Sequence, residues 1–168
     1  MKRNIMIMLV VLLLFALAVP VFAARVEKET ESFEFVDTLV GDCSVYGDGW
    51  DFAVLDDVAF TRNTTYKYNN DDVLVRRTIH SKGTDTVYRE NFPDDAVTSS
   101  WHNNIIFDLI TGEAAAHGNQ YNIHLPGVGS VFHYVGSEFW ADWDEGIFDR
   151  FVGLDYSDYE KLCRYFAD

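Results

Sequence analysis

From Trp101 to Val135 apolar and polar residues alternate with the period of two that marks half-buried strands. Trp101, Asn103, Ile105, Phe107 and Leu109 share one face, and His102, Asn104 and Asp108 lie mostly on the other. Leu109-Ile110-Thr111-Gly112-Glu113 suits a three-residue hairpin loop in which Gly112 takes the positive φ that a Cβ resists. Closing Leu109 on Glu113 predicts that Ala115, His117, Asn119, Tyr121, Ile123 and Leu125 join the same inward face. Pro126-Gly127-Val128-Gly129 reads as a second turn, and closing Leu125 on Ser130 brings Phe132 and Tyr134 inward too. The resulting apolar face has one polar interruption, made by Asn103, His117 and Asn119.

Alternation extends to both sides of this segment. Ser32 to Val40 reads as a strand, and Trp50, Phe52, Val54, Val58 and Phe60 line one face of another, with Asp51 and Asp57 opposite. Asp56 interrupts that face, as a bulge, a break between two strands or a buried carboxylate. Tyr66 and Tyr68, the cluster Asn69 to Asp72, and Val73 to His80 predict a hairpin. Ser81-Lys82-Gly83-Thr84 reads as a turn before a strand from Thr86 to Phe92, which Pro93-Asp94-Asp95 ends. Phe139 to Glu145 reads as an aromatic, acidic loop, followed by a short strand from Ile147 to Val152. The period then changes: Ser157-Asp158-Tyr159-Glu160 has the form of a capping box, and a short helix to about Phe166 should pack through Leu162, Tyr165 and Phe166. About nine strands and one terminal helix predict an all-β fold, an antiparallel β-barrel or a two-sheet sandwich, between which the pattern does not choose.

The first residues have a different character. A short basic start, a continuous apolar run from Ile5 to Val19, and Pro20 to Ala24 form a secretory signal peptide with cleavage expected after Ala23. The run is shorter than the ~20 residues of a spanning helix, so no stable membrane insertion is expected after cleavage. Residues 24–168 are expected to form one secreted domain, at the cell surface, in a periplasm or outside the cell. Removing residues 1–23 takes away Lys2 and Arg3 but no acid, moving the formal charge from -14 to -16. So acidic a chain lacks the basic footprint that nucleic acid requires.

The two cysteines, Cys43 and Cys163, are expected to form a disulfide in an oxidising compartment. Closing nearly the whole domain, it should contribute roughly 4 to 5 kcal/mol through loop entropy. No nucleophile elbow, phosphate-binding glycine loop, His-Glu-x-x-His or cysteine zinc motif occurs, so no catalytic residue, metal site or cofactor is assigned. Asn63-Thr64-Thr65 is an N-glycosylation acceptor, meaningful in a eukaryotic source.

Three constellations carry chemistry weakly. Trp101, Asn103, His117, Asn119 and Tyr121 are the candidate lining of a ligand pocket, since such sites set a few polar groups among apolar walls. The plainer alternative is a hydrogen-bonded core cluster or buried water. His124 and His133 are diagonal neighbours on the solvent face, two potential zinc ligands that do not complete a site. Asp142-Trp143-Asp144-Glu145-Gly146 has the composition of a calcium loop but lacks a further ligand before the glycine, which favours a solvated turn.

The order of these features resembles a loose group of small uncharacterised secreted bacterial β-rich proteins with an early and a late cysteine. Their Thr-Asn-x-x-Thr-Gly turn is matched by Phe107-Asp108-Leu109-Ile110-Thr111-Gly112, with Phe107 and Asp108 replacing the first two residues. Pro126-Gly127-Val128-Gly129 and Cys163 fit the remainder. The resemblance implies a β-barrel or sandwich and carries no activity. A likeness to lipocalins stops at the C-terminal helix, because Gly49 directly precedes Trp50 where Gly-x-Trp is required. Two functions are therefore expected: a secreted domain binding a small, partly apolar ligand, or an extracellular structural or interaction protein with a packed core and Phe139 to Trp143 as its contact patch.

Overall fold

The computed structural model describes residues 24–167. The signal peptide expected over residues 1–23 lies outside the described residues. Seven strands follow one another: β1 (Val26–Asp42), β2 (Ala53–Tyr68), β3 (Leu74–Arg89), β4 (Phe92–Asp108), β5 (Ala114–Leu125), β6 (Gly129–Asp142) and β7 (Ile147–Ser157). A 3-10 turn, Cys43–Val45, follows β1, and helix α1 (Tyr159–Ala167) ends the described chain. Each strand pairs antiparallel with the next in a single sheet of order β1 to β7. No ladder joins β1 to β7 among the described residues, so the sheet is open.

There are seven strands where the pattern suggests about nine, because polar stretches that look like turns continue as strand. Ser81 to Thr84 lies inside β3, where Gly83 pairs with both Phe60 and Trp101. The rings of Phe60 and Trp101 approach to 5.4 Å over the glycine. A Cβ on Gly83 would lie 2.5 Å from that of Phe60, so the rings occupy the space a side chain would need. Asn63-Thr64-Thr65 likewise sits within β2, with the Thr30 hydroxyl donating to Asn63 Oδ1 at 2.9 Å.

The β4–β5 turn changes the register. Asp108 accepts the amides of Ile110 and Thr111 on its side chain, at 2.9 and 3.2 Å, and its own amide donates to the Glu113 carbonyl. The loop is thus one residue longer than the expected three, and Phe107 pairs with Ala114. A one-residue slip turns every following side chain over. Ala114, Ala116 and Gly118 face inward with Trp101 and Asn103, while Ala115, His117 and Asn119 face the other way. A bulge at Gln120 then restores the phase, so Tyr121 opposes Tyr134 and Ile123 opposes Phe132.

The same bulge lies at a fork. β4 and β5 are hydrogen-bonded only between His102–Phe107 and Ala114–Asn119. Beyond His102 the two strands part, and one leaf (β1 to β4) faces another (β5 to β7). Val54, Val87 and Val97 from the first pack with Ile123, Leu125, Val131 and Phe132 from the second and with Leu162 and Phe166 of α1. This inner face is therefore the one that α1 closes. Asp158 caps the helix by accepting the Lys161 amide at 2.9 Å, in place of the expected Ser157, and Glu160 pairs with Arg164 instead of closing a capping box. The Cys43–Cys163 disulfide, with Cα atoms 5.5 Å apart, ties α1 to the end of β1.

Candidate functional site

One step from this apolar core, the inner face turns polar. Asp56 follows Val54 along β2, and Asp85 precedes Val87 along β3. Asp56 opposes Val87 and Asp85 opposes Val58, which makes the two acids diagonal neighbours on one face. They are 3 % and 2 % exposed. Asp85 Oδ1 accepts the Trp101 indole N–H at 2.9 Å, but Asp85 Oδ2 and Asp56 Oδ1 are buried without a partner. Opposite Asp85, Ser99 Oγ is also buried and unpaired, and so is Asn103 Oδ1 further along, on the other side of Trp101.

No Lys, Arg or His pairs with either acid among the described residues. Burial pushes Asp85 up to about 7, helped by the charge of Asp56 and opposed by the Trp101 hydrogen bond. Burial also raises Asp56 to about 6, with Asp57 adding to the rise and the Thr86 amide resisting it. Tyr121, on the opposite leaf, is raised by burial first and then by the charges of Asp56 and Asp85, which places its ring toward the pair. Unneutralised buried acids cost stability, and perturbed groups of this kind concentrate at functional sites.

On the outer face a groove of about 460 Å³ crosses β1 to β4 along the row Phe33, Phe60, Gly83 and Trp101, between Ser32, Thr61 and Lys82 on one side and Glu34, Ala59, Thr84 and Ser100 on the other. On the inner face the aromatic side chains of that row pack together. Phe33 and Phe60 stack at 4.9 Å, and the Arg62 guanidinium lies over Phe33 at 4.5 Å. The Trp101 ring packs on Phe60 while its N–H holds the first buried acid.

Of the five residues expected to line a pocket, three meet on this inner face. Trp101 and Asn103 do so from β4, and Tyr121 from β5, where it packs on Phe132 at 5.3 Å. The register slip separates the other two. His117 lies on the outer face, its Nδ1 2.8 Å from Ser137 Oγ and its ring edge-on to Phe139. Asn119 pairs with His102 of the outer face. Neither belongs to the groove.

Asp85 escapes detection in the sequence because its face of β3, Ser81, Gly83, Asp85, carries no apolar alternation. Asp56 does interrupt an apolar face, and it is the buried carboxylate. The bulge lies in the partner strand, between Phe35 and Thr38 of β1, where the Asp37 amide donates to Asp57 Oδ1 at 2.9 Å. His124 and His133 share the outer face as diagonal neighbours. Among the described residues, no group of three or more His, Cys, Asp and Glu could hold a metal ion. Asp142 to Gly146 forms a tight turn in which Asp142 accepts the Glu145 amide at 3.0 Å. No family model, no curated protein and no solved structure matches this chain.

Proposed function

We propose that the protein is a secreted binding module whose ligand is a small, partly apolar molecule seated in the groove that crosses β1 to β4. The observation that carries this reading is the groove's mixed lining, which sets Lys82 on one wall and Glu34 on the other beside the apolar surface of Ala59 and the Phe33–Trp101 row. Secretion is supported by the Cys43–Cys163 disulfide, which persists in oxidising surroundings. No described helix is long and apolar enough to cross a membrane.

The test is saturation-transfer NMR with 2-phenylethanol as the probe. Transfer from the protein to the probe ring, lost in Ala59→Arg, whose side chain would fill the groove, is expected. Absence of transfer, or transfer untouched by that substitution, would contradict the reading.

The interaction role has one observation in its favour, the outer edge of β7, which pairs with no strand among the described residues and where Val152 and Leu154 are 59 % and 51 % exposed. It predicts self-association in sedimentation velocity that Val152→Lys abolishes; a monomer at all concentrations would exclude this form of it.

A further inference from the structure

We propose that Tyr121 and the bulge before it form a pH-operated gate over Asp56 and Asp85, shut while the two acids carry protons and open once they ionise. Both acids project from one side of β2 and β3, so their burial to 3 % and 2 % depends on the leaf opposite. From that leaf Tyr121 reaches them, since both acids act on its hydroxyl while its ring packs against the apolar core under α1. The segment that carries Tyr121 is weakly held. The β4–β5 ladder ends at His102 and Asn119, so among the described residues Gln120 and Tyr121 have no ladder partner on that side. Gln120 is the extra residue of the bulge, and Asn119 Oδ1 and Gln120 Nε2 are both buried without a partner. Letting water reach these two atoms offsets part of the cost of moving the segment.

Linkage sets the direction. Covered, each carboxyl keeps its proton to higher pH than it would in water, because burial penalises its charge. Uncovered, it meets water and ionises in the ordinary range, so raising the pH favours the open gate and acid shuts it. Arg89, diagonal to Asp56, does not relieve the charge: its Nη1 donates to the Phe166 carbonyl at 3.3 Å and its guanidinium lies over the Phe52 ring at 4.3 Å. Around the pair, β2 adds Asp57, which shares the Tyr88 hydroxyl with Asp37 of β1. From β4 come Ser99 and the Trp101 N–H, and on the far leaf Tyr121 packs on Phe132 of β6 and faces Tyr159 of α1. Opening offers the inner face of β2 and β3 to solvent in neutral surroundings, and acid withdraws it.

NMR of the whole domain with isotope-labelled tyrosine rings tests this, a dissolved neutral nitroxide reporting the exposure of each ring. Tyr121 is assigned through its contact with Phe132, and Tyr165, packed on the core under α1, serves as the control. Nitroxide-induced relaxation of the Tyr121 ring should be low at about pH 5 and rise severalfold by about pH 8, while that of Tyr165 holds. In the double variant Asp56→Asn, Asp85→Asn the Tyr121 value should stay low at both pH values. Either single variant should reduce the rise, which replaces that arm should the double variant fail to fold, and the wild-type arm needs no variant. A Tyr121 ring equally exposed at both pH values overturns the gate. So does a rise shared by Tyr165, which marks a general loosening of the fold, and so does a rise that persists undiminished in the Asn variants.

Discussion

The two halves of the inner face obey opposite rules although they share strands. At the closed end, Val54, Val87, Val97, Ile123 and Leu125 are buried against α1, and the disulfide holds that helix in place. One residue pair further along, the same strands carry Asp56 and Asp85, as deeply buried and with oxygens unpaired. Helix and disulfide close one end of the fork firmly enough that the other end can hold an arrangement that weakens the fold. A surface stripe of acids would need no such support, because water would solvate it.

Breaking the closed end should have the largest effect. Replacing Cys43 and Cys163 by Ala should remove about 5 kcal/mol, since the cross-link spans 120 residues. Urea unfolding of the oxidised protein and the double variant measures this difference. Leu125→Ala, at a fully buried position, should cost about 3 kcal/mol in the same experiment, with no change in probe binding at the groove.

The polar end should respond in the reverse direction. Both acids hold protons to higher pH in the folded chain than in the unfolded one. Unfolding between about pH 4 and pH 7 therefore releases protons, so this contribution to stability falls as pH rises through that window and returns on acidification. Asp85→Asn should accordingly stabilise the fold by roughly 2 kcal/mol at pH 8 and by nearly nothing at pH 4, read from thermal midpoints across pH. Trp101→Phe keeps the ring but removes the N–H donated to Asp85. It should cost about 1 to 2 kcal/mol at pH 8 and less at pH 4, where the carboxyl is protonated.

Most of the closed end was legible in the chain. Val54, Ile123, Leu125 and Phe132 follow the period of two, Leu162 and Phe166 the helical stripe, and the two cysteines have only each other to pair with. The polar end was legible in part. Trp101, Asn103 and Tyr121 were placed on a common face, and Asp56 was visible as an interruption. His117 and Asn119 were misplaced by one residue, because the Asp108 side chain takes two loop amides and lengthens a turn whose glycine allowed a shorter form. Gln120 then corrected the phase for Tyr121 onward, so the apolar pattern gave no sign of the slip. Asp85 was hidden because Ser81 and Gly83 resemble a turn, and only the Phe60 and Trp101 rings reveal why strand continues there.

Two unneutralised acids lie inside the fork, on the inner face of β2 and β3. The most direct measurement is a carbon-detected NMR titration of the side-chain carboxyls of Asp56 and Asp85, assigned by their Asn variants. The account predicts midpoints near 6 and 7 respectively, with each group's curve shifted by neutralising the other. Midpoints for both near the ordinary aspartate value of about 3.9 would mean that water or a basic partner reaches them, and would contradict it.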